Sequence, residues 1–269
     1  MVVTNLFPCS IWTKGYESDL DKKYGIKLSE IQNGQIKGLE QVLEVAKKEF
    51  PIFVKNPSSI EYDLIFDYKQ IRKLLKKHKN VPGFCSMFVK DKNELDEHIK
   101  RIYELSYLHY VLGKSENIQK IFSKKNIQKF PHFCCDSASV HMNLSLMNKG
   151  YSNSSVLGDS LNGCNHYYNG LPFVLEETNE KGFIIVDPTS NQLWWRNPQI
   201  DPPKNLIFLA NGCHFDYHTD WYNGWNLIPY TYMNLRTLRK LNGDCETFGE
   251  INKYYKKVFE NPIKLDIKD

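Results

Sequence analysis

The sequence predicts an α+β fold, with helices first and a hairpin-rich antiparallel sheet after them. Apolar residues recur at three- and four-residue spacing through the first half, whereas from Val156 onward short apolar runs alternate with turn residues. Between the two lies CDSASVHMNLSLMNKG, residues 135–150, whose apolar positions leave almost no polar face and so mark a central helix packed on the sheet. At 269 residues the chain is long enough for one large domain or two small ones. The change of pattern divides it into a helical N-terminal region, 1–125, and a core with C-terminal helices, 126–269.

In chain order, Ile36, Leu39, Leu43, Ala46 and Phe50 predict a helix over 29–50, started by Ser29 with Gln32 as a capping pair. A second spans 67–77. A longer one opens at Asp91 with Glu94 as its cap pair, runs through Leu95, Ile99, Ile102, Leu105, Leu108 and Leu112, and closes at Gly113. Residues 115–124 make a short helix, and Phe130 to Phe133, interrupted by Pro131, form an extended lead into Cys135. Strands are predicted near His166 and at Phe173–Glu177, Phe183–Val186, Leu193–Trp195 and Leu206–Leu209. The stretch from Trp194 to Tyr232, rich in aromatics, Pro, Gly and Asn, suits long ordered loops, and helices near Thr231–Leu241 and Thr247–Phe259 follow.

Thirty-five basic against 31 acidic residues leave a net charge of +4 spread along the chain, which disfavours nucleic acid as a partner. The densest basic stretch, Arg72 to Lys79, carries Leu74 and Leu75 and reads as the solvated side of an amphipathic helix. No apolar run approaches membrane-spanning length and no basic-then-apolar leader opens the sequence, so no membrane partner is expected and the expected location is the cytoplasm. Seven cysteines, an odd number without a C-x-x-C pair, fit neither a disulfide framework nor a zinc ribbon and point to a reducing compartment. Without a phosphate-cradling Gly-rich loop or a cofactor motif, no cofactor is expected. The pattern is silent on oligomeric state.

A cysteine in the first turn of the central helix sits among unpaired backbone N–H groups at the positive end of the dipole, which stabilise a thiolate and can hold an oxyanion. Cys135 is the candidate, with the adjacent Cys134 its rival. His166 follows 31 residues on, and Asp187 comes 21 after that, at the end of Phe183-Ile184-Ile185-Val186. A thiolate needs an imidazole to take its proton and return it to the leaving amine, and the imidazole needs a carboxylate to fix its tautomer. Two neighbouring strands present such a pair on one face, aimed at the start of the helix packed there. Asn165 is placed to donate its amide to the oxyanion, and Trp194 to wall a substrate cleft. His214 and His218, at i and i+4 beside Asp216 and Asp220, suit a zinc site on a helix, but their glycine- and aromatic-rich surroundings argue for a loop, and no metal is expected.

Together these residues resemble the transglutaminase-like family, whose core reads a cysteine at a helix start, a small residue a turn further on, a glycine beyond the helix, a histidine strand and an Asp-Pro-Thr strand. Ser139 stands at plus four and Gly150 at plus fifteen from Cys135, and GYSNSSVLG, residues 150–158, matches the strand after the helix. His166 begins HYYNGLPFVLEE, and Asp187-Pro188-Thr189 closes GFIIVDPT. The resemblance covers roughly residues 130–195. Ser154 stands where the family usually carries an arginine, and Tyr167 and Tyr168 where a tryptophan usually follows the histidine.

The resemblance implies a papain-type fold and cysteine-dependent acyl transfer or amide hydrolysis, of transglutaminase, deamidase or protease type, on a protein or peptide substrate. Cys135, His166 and Asp187 take the roles of nucleophile, acid–base and orienting carboxylate. The departures at Ser154, Tyr167 and Tyr168 motivate the alternative, a binding or scaffold protein that keeps the fold without turnover.

Overall fold

A computed structural model of the chain describes residues 14–26, 54–55, 62–63, 73, 76, 85–114, 135–161, 164–190, 206–211, 215–216, 226–227, 231–233 and 262–265. The helices are α1, Lys14–Tyr24, α2, Lys92–Lys114, and α3, Cys135–Asn148. Strands β1, Val54–Lys55, and β2, Tyr62–Asp63, pair with each other. Next come β3, Cys85–Val89, β4, Ser155–Leu161, β5, Cys164–Leu175, β6, Glu180–Asp187, and β7, Leu206–Asn211. After them, β8, Phe215–Asp216, pairs with β9, Asn226–Leu227, and β10, Thr231–Met233, and β11, Ile263–Lys264, complete the set.

Among the described residues, seven strands form one sheet whose spine is β5. Antiparallel β4 lies along its first half, from Ser155↔Gly170 to Leu161↔Cys164. Parallel β3 takes the same side at the far end, from Met87↔Phe173 to Val89↔Leu175. On the opposite side antiparallel β6 pairs from Asn169↔Val186 to Leu175↔Glu180, and β7 extends the sheet beyond it. β10 adds to β4, and β11 adds parallel to β3. The turn between β5 and β6, residues 176–179, is completed by Asn179 at φ 55°, a conformation that asparagine tolerates better than most residues.

Local chemistry sets the helix ends. Asp91 Oδ1 accepts from the backbone N–H of Asn93 and Glu94, and Glu94 reaches back to the N–H of Lys90, so the capping pair read in the sequence starts α2. The helix continues one residue past Gly113. At the end of α3, Tyr151 N–H donates to the Leu146 carbonyl and Gly150 N–H to that of Met147. With Gly150 at φ 93°, this is a Schellman stop that only glycine enters cheaply.

The core joins Leu95, Ile99 and Ile102 of α2, Ala138, Met142 and Leu146 of α3, and Leu171, Ile184, Val186 and Leu209 of the sheet. Helix α3 is buried nearly all round, as its composition demands: the side chains from Ser139 to Met147 are buried, Val140 alone being half-buried. Helix α1 lies on α2, with Tyr24 donating to Glu104 at 2.5 Å and Tyr107 to Asp21 at 2.6 Å. Among the described residues no helix is long and apolar enough to cross a membrane.

Helices and sheet therefore share one core, and the structure corrects several local expectations. The stretch read as helical contains β3, a short continuous apolar run that periodicity cannot tell from a buried helix segment. Because β3 joins β5 side by side, the sheet is mixed rather than wholly antiparallel, and the core draws on residues from both sides of position 125. The two strands expected around His166 and Phe173 are one strand. Thr231–Met233, expected to open a helix, is extended on β4, in keeping with its β-branched and aromatic content. Trp194 to Tyr232 holds β7, β8, β9 and part of β10. Of the 67–77 helix Lys73 and Lys76 are described, both helical and exposed. The helices expected at 29–50, 115–124 and 247–259 and the strand at 193–195 lie outside the described residues.

Candidate active site

Three elements each supply one terminal or near-terminal residue. Cys135 is the first residue of α3, His166 the third of β5 and Asp187 the last of β6, and all three are buried. His166 Nε2 lies 2.6 Å from Asp187 Oδ2. Cys135 hydrogen-bonds to His166 as well. Sulfur, imidazole and carboxylate are thus linked in series.

Burial works against a charged His166, but the Asp187 carboxylate outweighs it by charge and hydrogen bond, with Cys135 adding in the same sense. The net effect raises the imidazole to about 10, so the ring is cationic at neutral pH. Cys85, a buried thiol on β3, moves the opposite way for a nucleophile: desolvation pushes it up to about 11.

Strand alternation shows which face carries the pair. Tyr167, Asn169, Leu171 and Phe173 of β5 and Ile184 and Val186 of β6 turn to the core face covered by α2 and α3, which leaves His166, Tyr168 and Asp187 on the other. The pair was expected to aim at the helix packed on its own face. Instead it stands on the far face, past Asn169↔Val186 where β5–β6 pairing ends, and Cys135, itself outside the hydrophobic cluster, meets it there. The tie between helix and strand is Asn169, whose side-chain amide donates to the Ser139 carbonyl of α3 at 2.9 Å.

Two further groups hold the pair. The Tyr168 ring stacks on that of His166, centroids 5.9 Å apart. Thr189 donates to Asp187 Oδ1 from its backbone N–H and its hydroxyl, each at 3.0 Å. Neither residue has a role assigned by the resemblance. The signals were present: i and i+2 share a strand face, and a residue two after an aspartate is where an Asx turn closes.

Asn165 lies in β5 directly before His166, its backbone paired with Ser160. Trp194, Cys134, His214 and His218 lie outside the described residues, and Phe215–Asp216 between the two histidines is a strand. Ser154 is buried and donates to Asn143 Oδ1 of α3 at 2.7 Å. Comparison with known proteins finds no matching family model, no matching curated protein and no matching solved structure.

Proposed function

We propose that the chain is a cysteine-dependent acyltransferase or amide hydrolase of transglutaminase-like kind, built on a papain-type core, with a protein or peptide substrate. The observation that carries this reading is the buried series in which Cys135 and Asp187 both bond to one imidazole. In the proposed reaction the Cys135 thiolate attacks a carboxamide or peptide carbonyl, and backbone N–H groups at the start of α3 receive the oxyanion. The His166 cation gives its proton to the departing amine or ammonia, leaving a thioester on Cys135. An amine then takes the acyl group in transglutamination, or water takes it in deamidation or proteolysis, and its proton passes to His166.

The test is ammonia release and amine incorporation on a glutamine-containing protein, wild type against Cys135→Ala. Signal that disappears in the variant supports the reading, and equal signal from both proteins counts against it. Labelling by a thiol-directed probe separates catalysis from a scaffold role. Rapid reaction at Cys135 that is lost in His166→Ala, while buried Cys85 stays slow throughout, favours an enzyme.

A further inference from the structure

We propose that Thr189 is a positioning residue of the Cys135–His166–Asp187 series, its hydroxyl and backbone N–H together holding one oxygen of the Asp187 carboxylate so that the other stays on His166. The inference rests on the cysteine chemistry proposed for this site. Both donors end on the same atom, Oδ1, at 3.0 Å, while Oδ2 lies 2.6 Å from His166 Nε2. A carboxylate's terminal torsion is broad, so one bond to the imidazole leaves the group able to roll out of the ring plane. Two donors on the second oxygen oppose that rotation, and hydrogen bonds to an ionised acceptor are the stronger kind.

Asp187 and Thr189 are fully buried, which strengthens these contacts and keeps solvent from replacing them. Pro188 between them restricts the backbone of the turn that brings Thr189 back to Asp187. A residue that merely shaped this turn would act through its N–H, which every residue but proline has. The hydroxyl is what threonine adds at position 189.

The experiment compares Thr189→Val, which keeps the N–H and the size but not the hydroxyl, with Thr189→Ser, which keeps the hydroxyl, in the full chain. Two quantities are read: the rate of Cys135 alkylation by iodoacetamide, resolved from the other cysteines by peptide mass spectrometry, and the pH at which His166 releases its proton, followed by imidazole nitrogen NMR. Thr189→Val is expected to slow alkylation at neutral pH by about tenfold, the scale of one lost hydrogen bond to a charged group. His166 should then release its proton at lower pH, while Thr189→Ser keeps wild-type values in both readings. Wild-type behaviour of Thr189→Val, or an equal loss in Thr189→Ser, overturns the proposal. If circular dichroism shows that valine is not accommodated, Thr189→Ala takes its place with the same expected results. A His166→Ala variant whose Cys135 is alkylated at the wild-type rate would strike at the catalytic reading itself, so the two failures are distinguishable.

Discussion

Proton binding at His166 couples folding to pH. Asp187 and Cys135 hold its ring cationic up to about 10, against an ordinary value of 6.5. Between those values the folded chain binds more protons than the unfolded one, so this residue's contribution is fully present below pH 6.5 and is lost as pH rises through about 10. His166→Gln is therefore expected to flatten the decline of the urea midpoint over that window, and a slope identical to wild type would contradict the pairing with Asp187. Gly170 shows a different constraint at the same scale: a Cβ there would sit 2.5 Å from Leu157 Cδ1 and 3.3 Å from Phe183 Cδ1. Both neighbours are fully buried, so Gly170→Ala is expected to lower stability by about 1–3 kcal/mol through overpacking, measured by urea denaturation.

Helices and strands were legible to different degrees, for reasons that particular residues make plain. The start of α2 could be read because Asp91 and Glu94 carry the cap in their own side chains. Helix α1 was missed although Tyr16, Leu20 and Tyr24 recur every fourth residue: Leu20 and Tyr24 are buried and Tyr16 is half-buried, but a stripe of three is faint among eight other residues. The stop of α3 rests on Gly150 at φ 93°, so Gly150→Ala should cost about 1–2 kcal/mol in thermal or urea unfolding without altering the core. Asn169 links α3 to the strand of His166, a role that no local pattern announces. Asn169→Leu is expected to cost about 1–3 kcal/mol by depriving the buried tie of its donor, and to slow Cys135 labelling by loosening the helix start relative to His166. Unchanged labelling in a folded Asn169→Leu protein would mean that packing alone aligns the two elements.

Across the whole molecule, the contact between α2 and α3 predicts how the fold responds to acid. His109 and His141 meet there, ring centroids 6.0 Å apart and both buried. Burial lowers His109 to about 3, and burial together with the neighbouring His109 lowers His141 well below its usual range. The unfolded chain binds more protons than the folded one below pH 6.5, so the stability these residues contribute is present above that value and is lost as pH falls below it, for His109 toward about 3. Each group steepens the loss by up to about 1.4 kcal/mol per pH unit. The urea midpoint of His109→Gln should accordingly fall less steeply with acid than that of wild type, and parallel curves would show that His109 is not buried neutral in solution.

The sequence by itself determined the order of Cys135, His166 and Asp187, the burial of α3 on nearly every side, the cap of α2 and the strands that end in Asp187 and contain His166, because each is written in neighbouring residues through spacing, turn chemistry or a reach of a few positions. Only the tertiary structure decided that β3 lies parallel beside β5, that the His166–Asp187 pair stands on the face away from the hydrophobic cluster, and that Cys135 meets it past the end of β5–β6 pairing. Those facts depend on which distant segments share backbone hydrogen bonds and in what register. The alternation of side chains along one strand is the same whichever partner it finds.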